Sequence, residues 1–309
     1  MIVWPSTVVL APGHLKIALL LLAGASVHLS LSPPNPPAPP KQCIHKRTLF
    51  ERCVHWVTFI SKAMIWMATL SDAIATFALT CSTPHHPSPF RALTWMTPSG
   101  AYSVPGTLSN LSDTTECITP PPSSRALLTP SPLFAIGVLS VFLGALLRLW
   151  CFRSLGSMFT FELTIQPSHS LVTTGPYAFV RHPSYAGIYL TLLGGTLVAL
   201  APSTWLYECW LSPAYHALTH AASASSSWPW KSNSITSFSQ ILSAFALPFS
   251  PTSVLVHALI AFWLFKVWYA LRSTNRRLHI EDRELHKVFG EVWEHYAEKV
   301  RWKLLPGVF

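Results

Sequence analysis

The chain has 309 residues, of which half are hydrophobic and 11% are charged, and its formal net charge is +9. A mean hydropathy of +0.38 excludes an ordinary soluble domain and places the chain among integral membrane proteins. The basic residues are scattered at the ends of apolar segments and form no stripe, so the charge points to membrane faces and away from nucleic acid.

Residues 7–32 contain IALLLLAGASVHLSLS and are long enough to cross a bilayer. A signal peptide is the competing reading, because LLLLAGA is an apolar core followed by small residues; the lack of a basic region other than Lys16 favours an uncleaved anchor. Residues 33–52 are proline-rich and then basic, with Lys41, Lys46, Arg47 and Arg52. A second apolar segment, 54–80, is interrupted by Lys62 and Asp72, which should face the bundle or lie near an end. Residues 82–131 form a Pro/Ser/Thr-rich connector with few charges, and Asn110-Leu111-Ser112 within it is a glycosylation acceptor sequence.

The third apolar segment, 132–151, is nearly uninterrupted and ends in Arg148 and Arg153. A polar loop over 159–183 leads to a fourth, 184–211, whose Gly187, Gly194 and Gly195 allow a neighbouring helix to come close. A low-complexity Ser/Ala/Trp-rich insert, 213–251, precedes the last segment, 253–271, and a charged C-terminal stretch. The expected fold is therefore an all-α, polytopic membrane helix bundle of about five spans. The connectors 33–52, 148–183 and 272–309 are basic, whereas 82–131 and 213–251 carry few Lys or Arg. This alternation puts the C-terminus in the cytosol and Asn110 on the opposite side.

The six cysteines show no CxxC pair and no metal-like spacing with histidine, and His14, His28, His85 and His86 make no metal set. They read as free or buried thiols, with a bond between Cys81 and Cys117 left open.

One stretch does not fit a span or a simple connector. Residues 169–187, HSLVTTGPYAFVRHPSYAG, crowd hydrogen-bonding groups, aromatics and backbone breakers between two apolar segments. Gly175 and Pro176 interrupt the backbone, and Pro183 allows a helix to restart behind Arg181 and His182. Such a loop can wrap a polar ligand at a membrane face, or it can be a basic connector flanking a span.

The run LVTTGPYAFVRHPSYAG resembles the signature of the isoprenylcysteine carboxyl methyltransferase family. A second block agrees: Arg277, Glu281-Asp282, Leu285, Phe289-Gly290, Trp293 and Tyr296, closing with Leu305-Pro306-Gly307. The family has paired Glu where this chain has Glu281-Asp282, and commonly Tyr where it has Trp293. The likeness covers roughly 132–309, which divides the chain into N-terminal spans and loops (1–131) and a methyltransferase-like core (132–309) carrying the insert.

The resemblance implies methyl esterification of a C-terminal S-prenylcysteine carboxylate by S-adenosylmethionine. It also implies prenylated CaaX proteins as substrates, an endoplasmic-reticulum membrane location, and a cytosolic-face cofactor site closed by the C-terminal helix. It places cofactor contacts on His169, Ser170, Leu171, Val172, Tyr177, His182, Pro183, Ser184 and Tyr185, with Gln166 matching a further cofactor-contacting Gln across a loop shorter than in some relatives. The substrate-binding Arg and cofactor-binding Glu of the family fall on Arg277 and Glu281, the two residues expected to carry catalysis.

The chemistry is consistent with that assignment. A guanidinium holds a carboxylate bidentately where an ammonium is only a point charge. Four residues further on, Glu281 shares a helical face with Arg277; the plainer alternative is an i,i+4 salt bridge. Arg181 can serve the site or snorkel to headgroups. The segment 289–296 is expected to form a helix turn that packs this end. Three other classes share features with the chain. A phospholipid N-methyltransferase has an amine acceptor, for which Arg277 is electrostatically unsuited. An NADPH-dependent sterol reductase shares the RHPxY loop but has more spans. A membrane scaffold would not need the polar loop.

Overall fold

The computed structural model describes residues 12–36, 49–81, 126–161, 170–212 and 251–307. Asn110, Gln166, His169, the pairing of Cys81 with Cys117 and nearly all of the 213–251 insert lie outside them. Among the described residues the structure is helical without a strand. Its main elements are α1 (Pro12–Ser30), α2 (Leu49–Cys81), α3 (Pro132–Leu155), α4 (Pro183–Leu200), α5 (Pro251–Phe289) and α6 (Glu291–Lys299). The first five each contain a stretch long and apolar enough to cross a membrane.

Their outward faces stay apolar. Ile136, Leu139 and Leu146 on α3 and Leu255, Phe265 and Trp268 on α5 are all exposed, as a lipid-facing surface requires. The inward faces meet in one core that includes Leu20, Val27, Ile65, Phe134, Val141 and Trp263.

Helices in lipid gain little from hydrophobic burial, so their association relies on close packing. A glycine seam supplies it between α3 and α4. A β-carbon on Gly137 would stand 3.0 Å from the Gly194 carbonyl oxygen, and one on Gly194 would stand 2.9 Å from that of Gly137. Two turns along, Gly144 and Gly187 repeat the arrangement at 2.9 and 3.1 Å. Gly195 faces elsewhere and meets Ile65 of α2.

At the end of the bundle where α3 begins, Ser131 caps the helix by accepting from the Phe134 amide, with Pro132 at the first helical position. Lys16 is fully buried there and donates to Asp72 (2.7 Å), to the Leu127 carbonyl (2.9 Å) and to the Ser203 carbonyl (2.7 Å). This cluster ties α1 to α2 and to two turns. Lys62 lies near the other end and donates to Ser32. Both interruptions of the second apolar segment thus sit as expected, one facing the bundle and one near an end.

The structure departs from the expected segments in two places. The apolar run 184–211 is not one helix: α4 stops at Leu200, and a π-helical turn follows at Tyr207–Leu211. Pro202 disfavours helical backbone at Ala201, Ser203 adopts a positive φ of 75°, and the Thr204 hydroxyl donates to the Ala199 and Ala201 carbonyls. The second departure is length. The segment 253–271 lies within a 39-residue helix, about 58 Å at ~1.5 Å per residue, so roughly half of α5 extends past a hydrocarbon layer of about 30 Å.

Candidate active site

The loop ahead of α4 is shaped by its breakers. Gly175 takes a φ of 64°, which a side chain would strain, and a β-carbon there would meet Ser154 Oγ at 2.9 Å. Pro176 then opens a single 3-10 turn, Gly175–Ala178, that buries Tyr177. Removal from water, with Cys151 and Glu281 nearby, pushes the Tyr177 phenol above the ordinary tyrosine range, so it stays neutral.

His182 caps α4 in a non-helical conformation and Pro183 starts the helix. The backbone before it is paired with the C-terminal tail. The Arg181 amide donates to the Trp302 carbonyl and the His182 amide to the Lys303 carbonyl, both at 2.9 Å.

Side chains from α5 complete the connection. Asp282 Oδ1 lies 2.8 Å from His182 Nε2. Its Oδ2 faces Arg181 at 3.6 Å and Lys303 at 4.0 Å. One carboxylate therefore gathers the loop, α5 and the tail. Tyr185 donates its hydroxyl to Glu281 Oε2 at 2.7 Å, and His182 Nδ1 is 3.9 Å from the same oxygen.

The chain reverses after α5 at Gly290 (φ 51°), and α6 lies back across the loop. There Tyr296 donates to the Tyr177 carbonyl at 2.8 Å, and Trp293 lies under the Arg181 guanidinium at 5.7 Å. Burial pushes the Tyr296 phenol up to about 12. The segment 289–296 thus forms a turn that packs this end, but its Tyr296 also lines the cavity, beyond the packing role expected of it. Arg181 is engaged by Asp282, Trp293 and the tail.

These contacts enclose one cavity. Of the residues singled out in the sequence, Ser170, Leu171, Val172, Tyr177, His182, Ser184, Tyr185, Arg277 and Glu281 all line it. Pro183 does not; it is buried as the first residue of α4. The wall opposite the loop comes from α2, through Val54, Val57, Thr58 and Ser61. The two sequence blocks, about a hundred residues apart, therefore share one site.

The lining includes residues that were not anticipated, Arg148 among them. Arg148, expected as a basic flank of the third segment, is 1% exposed inside α3. Its Nε donates to the Ser30 carbonyl at 2.5 Å, and its Nη1 donates to the Ser184 carbonyl and hydroxyl at 3.2 and 3.0 Å. Phe152, Phe159 and Phe161 surround the guanidinium at 4.9, 5.8 and 5.5 Å. Gly187 makes the space, since a β-carbon there would reach Arg148 Cγ at 2.5 Å. In sequence Arg148 reads as a flank like Arg153; it is the run of α3 seven residues beyond it that puts it too deep for one. Among the described residues no group of His, Cys, Asp and Glu could hold a metal.

Residues 135–218 match the model of the isoprenylcysteine carboxyl methyltransferase (ICMT) family. That match spans most of α3, the polar loop, α4 and the turn after it, and stops short of α5. The chain is also similar to the uncharacterized protein YpbQ of Bacillus subtilis (strain 168), with 31% identity over 78 residues. The aligned part is 25% of this chain and 45% of that relative, so the chain spans under half the length of the curated protein it matches. No solved structure matches the chain.

Proposed function

We propose that the protein is a membrane methyltransferase that esterifies the C-terminal carboxylate of an S-prenylcysteine, with S-adenosylmethionine as methyl donor. The observation that carries this reading is the meeting of Arg277 with the Tyr185–Glu281 pair in one cavity that also opens on the apolar flank of α2.

A terminal carboxylate has a pKa near ~3.5 and is already ionised at neutral pH, so the site needs no general base. The protein has to hold two ligands in line and to replace the water around one of them. Arg277 meets the acceptor carboxylate with its planar fork. Arg148, already committed to Ser30 and Ser184, adds a fixed positive field to the same cavity.

The donor set fits the cofactor. Glu281 is an anion for an amino group, Ser170 and Ser184 offer hydroxyls, and Tyr177 and Tyr185 give aromatic walls beside Leu171 and Val172. His182 is held by Asp282 and orients the loop, and Gln166 and His169 complete the proposed contacts. When bound, S-adenosylmethionine supplies a methyl group activated by its own sulfonium charge.

The resemblance supports prenylated CaaX proteins as substrates and the endoplasmic-reticulum membrane as the location, with the C-terminus cytosolic by the distribution of Lys and Arg. Two neighbouring guanidinium groups disfavour the amine acceptor of a phospholipid N-methyltransferase. The test is transfer of a labelled methyl group to N-acetyl-S-farnesylcysteine by the purified protein, giving a base-labile ester. Methylation of phosphatidylethanolamine instead, or NADPH-dependent sterol reduction, would overturn the reading.

A further inference from the structure

The cleft between α2 and α5 does not end with the cavity described above. On α5, Glu281, Arg277, Thr274 and Ala270 line that first compartment, opposite Val57 and Ser61 of α2. A second, separate compartment lies further along the same two helices, lined by Ile65 and Ala68 of α2, by Val256, Leu259 and Ile260 of α5, and by Ala199 and Leu200 at the end of α4. Its walls are almost wholly apolar.

Between the two lies Lys266. It is 7% exposed, donates to Ser61 Oγ at 2.5 Å, and places its ammonium 3.8 Å from the centre of the Trp263 ring. Ser61 faces the first compartment and Trp263 the second. Among the described residues Lys266 pairs with no carboxylate. An amine within the membrane-spanning part of a helix is costly and is held only where it has a purpose. Here it forms a bar across the cleft, built from both helices.

Resting on the activity proposed above, we propose that the Lys266–Ser61 bar sets the length of lipid the site accepts, favouring a chain of three isoprene units over four. From Arg277 back to Lys266, α5 rises about 16 Å at ~1.5 Å per residue. A farnesyl chain laid out as a zigzag of carbon–carbon bonds of about 1.5 Å extends roughly 15 Å, and each further isoprene unit adds about 5 Å. With the carboxylate at Arg277, the cysteine takes up about 5 Å before the lipid begins, so an extended farnesyl tail reaches the bar and stays below it with a modest bend. A geranylgeranyl tail overruns the bar by about 5 Å more, and it enters the second compartment only if the amine gives up its hydroxyl partner and its seat over Trp263.

The experiment compares N-acetyl-S-farnesylcysteine with the geranylgeranyl analogue, by methyl transfer and by competition binding, in the wild type, Lys266→Met and Ser61→Ala. The wild type should prefer farnesyl several-fold in kcat/KM and in binding. Lys266→Met, which keeps the length of the side chain and removes the donor, should raise the geranylgeranyl-to-farnesyl ratio about tenfold. Ser61→Ala should move it the same way with less perturbation, and it serves if the lysine variant does not fold. Transfer in all three proteins with an unmoved ratio overturns the bar and leaves the methyltransferase reading intact. A binding ratio that shifts without any methyl transfer supports the bar and overturns the activity.

Discussion

His182 Nε2 and Asp282 Oδ1 stand 2.8 Å apart across a hundred residues of sequence. Arg181 and Lys303 share the other oxygen of the same carboxylate. Asp282 thereby acts as the knot between loop, helix and tail while lining none of the cavity. Asp282→Asn keeps the shape and loses the charge that three basic neighbours require. Removing one partner of a charged, partly buried set leaves the others uncompensated, at a cost of about 2–3 kcal/mol. The expected outcome is a KM for S-adenosylmethionine raised tenfold or more, with a smaller change in kcat, in steady-state assays. An equal fall of kcat with unchanged KM would place Asp282 in the reaction itself.

Arg277→Lys keeps the positive charge and removes the fork. Methyl transfer should fall by tens of fold, corresponding to about 2 kcal/mol of lost alignment. Glu281→Gln should act chiefly on cofactor affinity, measured by calorimetric titration. Tyr185→Phe should reproduce a milder form, near 1 kcal/mol, by releasing the hydrogen bond that orients Glu281. Full activity in Arg277→Ala would move the carboxylate site to Arg148.

Gly187→Leu should prevent assembly of the bundle. Even a β-carbon would collide with Arg148 Cγ and press on the Gly144 carbonyl, so both the guanidinium and the helix seam must shift. The expected cost exceeds about 3 kcal/mol. It should appear as loss of monodisperse protein after detergent extraction, whereas Leu139→Ala, on the exposed face of α3, should remain extractable.

The Tyr296 phenol titrates at about 12 in the folded protein against an ordinary value of 10, because burial disfavours the phenolate. A raised folded pKa means the contact with the Tyr177 carbonyl is fully present below pH 10 and is lost as pH rises through about 12. Protection of the tail from proteolysis should therefore be flat from pH 6 to pH 9 and fall only above 10. Tyr296→Phe should lower that protection by about 1 kcal/mol across the whole flat range.

The helices and the two blocks of the site were legible because both leave local marks. Apolar runs of membrane length announced α1 to α5, and the Gly-Pro and His-Pro breaks announced a polar loop between two of them. What escaped depended on distance or on a single residue. Asp282 looked like a substitute for a family glutamate, and nothing near it in sequence points to His182, Arg181 and Lys303. Arg148 reads as a flank until the helix is seen to run on to Leu155. The break after Leu200 was lost in apolar composition, although Pro202 marked it. The glycine seam could be foreseen from α4, but its partner needed the register of Gly137 and Gly144 on α3.

Helix α5 carries its lipid-facing stretch and the Arg277–Glu281 pair on a single rod, which is first broken at Gly290, beyond both. The height of the site above the membrane is consequently not adjustable by the protein; it is a fixed number of helical rises from the belt of Phe265, Trp268 and Tyr269. Bilayer thickness becomes a variable of the reaction, because a thinner membrane must tilt the rod and a thicker one must draw Arg277 toward the headgroups. Reconstituted protein should therefore pass through an optimum of methyl transfer as the acyl chains of the vesicles are lengthened, while detergent micelles, which adapt to the rod, should show none.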